Sequence, residues 1–178
     1  GMLAVGTILP SEWIIEHFPT SMPSATEQLL QSIMKEPTGY LAVGILGPVA
    51  EEMVFRGAVL RTLLNLFSQK SHWWAILISA VLFGAIHFNT AQFAHALPIG
   101  LLLGWMYYRT GSILPGLLFH WVNNTVAYLM FNLMPQLGDG KLIDLFHGSS
   151  HSLGMGLFFS VCIILPCLFQ LNMRMKKG

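Results

Sequence analysis

The chain is 178 residues long, 54% hydrophobic and only 10% charged, with a formal net charge of +1 and a mean hydropathy of +0.62. A soluble domain carries about a quarter charged residues, so this composition points to one membrane-embedded domain covering residues 1–178. So few ionised groups leave no basic surface for nucleic acid, and neither a P-loop nor a dinucleotide glycine fingerprint occurs.

The opening run Gly1 to Pro10 is apolar, too short to span a bilayer, and lacks the basic start of a signal peptide. It reads as the end of a helix whose earlier part, together with one or more further spans, is expected upstream. From Ser24 to Lys35, Ala25, Leu29, Leu30, Ile33 and Met34 alternate at helical spacing with Glu27, Gln28, Gln31 and Lys35. This predicts a short amphipathic helix at the membrane surface or over the bundle end.

Five longer apolar segments follow, roughly 39–67, 73–88, 93–108, 113–134 and 153–171, each a candidate spanning helix. The second and third are short for a hydrocarbon core about 30 Å thick and must borrow flanking polar residues or lie in the bundle interior. The polar break from Pro135 to Ser152, with Gly138-Asp139-Gly140, reads as a loop. Cys162 and Cys167 fall on different faces of one helix, which argues against a disulfide or a metal site. The fold expected is an all-α polytopic bundle. Threading the segments alternately puts Lys70, Arg109, Arg174, Lys176 and Lys177 at one end, with Arg61 near it. Lys35, Lys141, Asp139 and Asp144 fall at the other, so the positive-inside rule makes the first end cytoplasmic.

The costliest stretch is Pro48-Val49-Ala50-Glu51-Glu52-Met53-Val54-Phe55-Arg56. An ionisable group at bilayer depth costs from about 3 to more than 10 kcal/mol, and Glu51 and Glu52 are adjacent. Successive helical residues point about 100° apart, whereas Glu52 and Arg56 are i and i+4 on one face. Glu52 is thus expected to pair with Arg56, leaving Glu51 in need of a partner from another helix. Pro48 removes a backbone N–H and frees a carbonyl one turn back. The second span ends in Phe83-Gly84-Ala85-Ile86-His87, and Gly84 thins that helix for a close neighbour. The fourth carries His120 and Asn124 at i and i+4, with Asn123 directed elsewhere.

Measured from the cytoplasmic ends at about 1.5 Å per residue, Glu51 lies near 25 Å, His87 near 23 Å, Asn124 near 20 Å and His120 near 14 Å. A carboxylate, two imidazoles and an amide thus fall in or near one layer. No serine, cysteine or threonine accompanies them as a nucleophile, which makes water the natural attacking group.

Glu-Glu-x-x-x-Arg at Glu51 to Arg56, Phe-x-x-x-His at Phe83 to His87 and His-x-x-x-Asn at His120 to Asn124 resemble, in order and spacing, a known family signature. It is that of the CAAX-prenyl endopeptidase and bacteriocin-processing (CPBP, or Abi) intramembrane proteases, and the likeness covers about residues 46–130. The resemblance implies an all-helical integral membrane peptidase of the bacterial inner membrane, acting on a peptide or membrane-protein substrate. It further implies that Glu51 with His87 activates water, that His120 and Asn124 stabilise the oxyanion, and that Glu52 and Arg56 support the site. No cofactor is expected. A zinc-dependent version of the peptidase through Glu51, His87 and His120 is chemically the nearest competitor, although His-Glu-x-x-His is absent. The same polar groups would also suit a non-proteolytic immunity or scaffold protein that binds a peptide in the cavity, or a proton-coupled transporter.

Overall fold

The computed structural model describes residues 1–18, 24–67, 69–133 and 141–175, and among them every regular element is helical. Helix α1 is Met2–His17 and α2 is Ser24–Lys35. Helix α3 is one continuous rod over 41–66, in which two π-helical stretches, Leu41–Leu46 and Met53–Leu60, alternate with α-helical Gly47–Glu52 and Arg61–Leu66. Helices α4 (His72–Ala85), α5 (Thr90–Thr110), α6 (Leu114–Leu133) and α7 (Ser150–Arg174) complete the bundle. Two 3₁₀ turns, Gln69–Ser71 and Leu142–Phe146, lie at its ends. The amphipathic helix and the five long segments all appear as helices. Gly138-Asp139-Gly140, Lys176 and Lys177 lie outside the described residues.

Helix ends follow from local chemistry. Asn89 caps α5 by accepting from the amides of Ala91 and Gln92, Ser149 caps α7 by accepting from Ser152 N, and Gly111 closes α5 in the left-handed conformation, φ +64°. Helix α4 stops at Ala85, so His87 sits two residues past it in a tight turn rather than within the span as its apolar segment implied. The next residue, Phe88, takes φ +50° to reverse the chain into α5.

Helices α4 and α5 form the most extensive pair among the described residues. Small residues permit it: a Cβ on Gly100 would lie 3.0 Å from Ala80 Cα, and one on Gly84 would lie 2.9 Å from the Phe93 ring. Gly84 thus does what its position in the sequence implies. Helix α1 runs antiparallel to α7, with Gly6 against Ile163 and Ile164 and, toward the other end, Leu9 beside Gly156. Both helices close over a core of Leu3, Ala4, Ile99, Leu103, Met106 and Phe119.

At one end of the bundle the start of α4 and the ends of α5 and α7 meet. Arg109 donates to the carbonyls of Asn172 (2.8 Å) and Met175 (2.7 Å), and His72 stacks on Tyr108 at 4.1 Å. At the opposite end Leu142 N donates to Glu16, and Tyr128 and Asn132 on α6 donate to the carbonyls of Glu36 and Met34. The alternate threading of the segments matches this arrangement.

Beside an apolar core, several polar side chains are buried and many large apolar ones exposed. Glu52, Arg56, Ser79 and His120 are buried, while Leu46, Met53, Leu114, Phe158, Leu165 and Phe169 are exposed. Helix α7 is long and apolar enough by itself to cross a membrane and buries little but Ser160; α4 is apolar but shorter. Helices α3, α5 and α6 fall below that mark: α3 is divided into stretches of six to eight residues, and α5 and α6 are interrupted by polar residues, Gln92 and His95 in one and His120, Asn123 and Asn124 in the other.

Candidate active site

The acid pair is held where α3 changes register. Gly47 N–H reaches back five residues to Ala42 O. The next donor in that register would be residue 48, and Pro48 has none. The carbonyl left over, Val43 O, accepts from Asn124 Nδ2 on α6 at 3.0 Å. The freed carbonyl expected from Pro48 is therefore the seam that fixes α6 against α3. Just after Glu52 the second π stretch begins, and within it Phe55 O accepts from Ser79 on α4 at 3.1 Å. π-Bulges of this kind concentrate at functional sites.

Glu52 is wholly buried and faces inward. Its Oε1 accepts from Arg56 Nη1 at 2.8 Å and from His120 Nδ1 at 3.2 Å. Arg56, also buried, donates its other terminal nitrogen to Gly100 O at 3.1 Å. Space for this carboxylate comes from Gly116, where a Cβ would stand 3.0 Å from Glu52 Oε2. A carboxylate only accepts, so His120 carries a proton on Nδ1 and turns Nε2 outward. That nitrogen meets Glu51 Oε2 at 3.5 Å. Glu51 is the member of the pair that keeps access, its side chain 27% exposed against 0% for Glu52. The missing partner of Glu51 is thus His120.

His87 belongs to the same cluster through a ring rather than through an acid. Its Nδ1 donates to Phe83 O at 3.0 Å, leaving Nε2 free of a protein partner. Phe83 is buried at the centre: its ring lies edge-on to His87 (5.5 Å), His120 (5.7 Å) and Phe55 (5.4 Å), and the Arg56 guanidinium sits 4.5 Å from its centroid. A cation over an aromatic face is attractive, and edge-on rings pack well against a π face. Phe83 therefore orders three of the polar groups, His87 through its carbonyl as well as its ring, and His120 and Arg56 through the ring alone. Sequence reasoning used Phe83 only as a spacing mark, and it overlooked Gly116, which precedes His120 by one helical turn on the same face.

The structure thus joins Glu51, Glu52, Arg56 and His120 directly, brings His87 to them through Phe83, and ties Asn124 to the α3 backbone one turn beyond His120. Glu51 and His87 make no direct contact with each other. Among the described residues no group of three His, Cys, Asp or Glu side chains is placed to hold a metal ion.

Residues 34–126 match the family model described as "Type II CAAX prenyl endopeptidase Rce1-like". Among curated proteins the chain is similar to the Bacillus subtilis (strain 168) protein named "Putative membrane peptidase YdiL", 28% identical over 105 residues. That alignment takes in 59% of this chain and 42% of the relative, so the chain spans less than half the length of the protein it matches. No solved structure matches it. The matched region holds all three motifs and every residue of the cluster, and the chain belongs to the Rce1-like type II CAAX prenyl endopeptidase family.

Proposed function

We propose that the protein is an intramembrane endopeptidase that hydrolyses a peptide bond with water activated by Glu51. The observation that carries this reading is the unequal treatment of two adjacent acids. Glu52 is spent on Arg56 and His120, while Glu51 is accessible and directed at an imidazole whose tautomer Glu52 sets. Such an arrangement holds a base in place and leaves it free to act.

In the reaction Glu51 takes a proton from water, and the oxygen adds to the scissile carbonyl. His87 presents an unprotonated Nε2, because its Nδ1 proton is given to Phe83 O, and so accepts from the same water on its other side. Negative charge develops on the carbonyl oxygen. The second N–H of Asn124 donates to it, the first N–H being held by Val43 O, and His120 donates its Nε2–H beside it when the ring enters the reaction already as the imidazolium, with Nδ1–H on Glu52. The proton held by Glu51 then passes to the leaving nitrogen. Helices α3 to α7 cross the bilayer, with the Lys70, Arg109 and Arg174 end cytoplasmic. The apolar exterior of the bundle supports that placement.

The test is turnover of a fluorogenic membrane peptide by purified protein in lipid nanodiscs, wild type against Glu51→Gln. The variant should lose orders of magnitude in kcat while melting like the wild type. Undiminished turnover in Glu51→Gln would refute the assignment of the base. Peptide binding without any turnover by the wild type would favour the non-proteolytic reading.

A further inference from the structure

His120 stands between two acids, and one ring proton does not suffice for both. Nδ1 lies 3.2 Å from Glu52 Oε1, and Nε2 lies 3.5 Å from Glu51 Oε2. A neutral imidazole has a single N–H, and an ionised carboxylate only accepts. With that one proton, one of the two contacts would set a nitrogen lone pair against an anionic oxygen, at a separation that admits no water between them. The geometry calls for a second proton along this line. Glu52 Oε1 is already filled by Arg56 Nη1 at 2.8 Å, so the second proton belongs on the Glu51 side of the ring.

Charge balance asks for the same proton. Glu51, Glu52, Arg56 and His120 are neutral as a group with it and carry a net negative charge without it, which a largely buried cluster disfavours. The other titratable groups near the ring are His87, beyond α4, and His95, on α5, and neither forms an ion pair with either acid. We propose that Glu51 and His120 share one proton in the empty site, and that an arriving substrate carbonyl releases the base by taking over the contact with Nε2. The carbonyl oxygen accepts from Nε2–H, the proton stays with the ring, and Glu51 is left a free carboxylate able to take a proton from water. One proton thus meets two needs, an ionised base and a protonated oxyanion donor, with none imported from solvent. No bond to carbon forms or breaks in this step. The release rests on the peptidase reading above, whereas the shared proton rests on the geometry of the cluster.

Solid-state NMR on protein in bilayers, labelled with ¹⁵N-histidine and ¹³C-glutamate, counts these protons without needing turnover. Signals lost in His120→Gln and Glu51→Gln assign the two side chains. In the wild type, His120 Nδ1 should be protonated, and one further proton should be found either on Nε2 or on the Glu51 carboxyl. A bare Nε2 beside an ionised Glu51 would overturn the shared proton, as would a proton on each. In Glu51→Gln, which has no charge to balance and an amide that can donate to the ring, Nε2 should be bare; an imidazolium that survives there would overturn the dependence on Glu51. The release step is read in a complex with the fluorogenic peptide methylated at its scissile nitrogen, which keeps the carbonyl but resists cleavage. Nε2 should then be protonated and in dipolar contact with a ¹³C label in that carbonyl, and Glu51 should be ionised. A protonated Glu51 or a bare Nε2 in the complex would overturn the release. If the wild type neither binds nor cleaves the peptide, the peptidase reading and the release fall together, and the proton count in the empty site alone decides the shared proton.

Discussion

Glu52→Gln removes the charge of a wholly buried carboxylate while keeping its shape. In the wild type one oxygen, Glu52 Oε1, receives both Arg56 Nη1 at 2.8 Å and His120 Nδ1 at 3.2 Å, and both charged partners are essentially inaccessible. The substitution leaves Arg56 as a cation with no counter-charge on its own helix face, bonded to Gly100 O and to a neutral amide oxygen in place of the carboxylate, and resting on the Phe83 ring. Breaking one side of such a pair costs about 3 to 5 kcal/mol. For a chain of this size that corresponds to a fall in melting temperature of roughly 6 to 20 °C. Glu51→Gln breaks one long, partly exposed contact at 3.5 Å and should cost less than about 1 kcal/mol. Thermal melts of both variants in the same detergent, with a rescue variant carrying Glu52→Gln and Arg56→Met together, separate the roles. The double variant should recover part of the loss, because no unpaired charge remains. If Glu51→Gln were the unstable variant and Glu52→Gln inert, the division between a supporting and a reacting acid would be refuted.

Gly100→Val should destabilise the protein by about 1 to 3 kcal/mol, since the added atoms meet the Ala80 backbone, which cannot yield. Chemical denaturation compared with a Leu101→Val control would check it. His120→Ala and Asn124→Ala should each lower kcat more than KM changes, and the pair should lose less than the product of the singles. Multiplicative losses would leave them as independent packing residues. Asn124→Ala should also loosen the α3 seam by freeing Val43 O, visible as faster amide exchange around Gly44. Cysteines placed at positions 70 and 141 should react with impermeant reagents from opposite sides of the membrane, and labelling from one side would overturn the threading.

Composition and period settle much of this protein before any coordinate is known. An apolar chain with few charges has to satisfy its backbone internally, and the absence of strand alternation leaves helices; α2 and the five long segments follow from that. The pairing of Glu52 with Arg56 is equally local, because four residues on one helix meet whatever surrounds them. Motif order also carries family membership, since it survives where packing detail does not.

Tertiary structure decided what depends on a second helix. Which imidazole stands beside Glu51 is set by the rotation of α6 against α3, and the Asn124 bond to the carbonyl stranded by Pro48 contributes to fixing it. Rise per residue gives depth but not rotation, so linear spacing placed Glu51, His87 and His120 near one layer without saying which pair touches. Phe83 at the hub and Gly116 beside Glu52 were invisible for the same reason. Each is one apolar or small residue in an ordinary helix, and its role exists only where several helices meet.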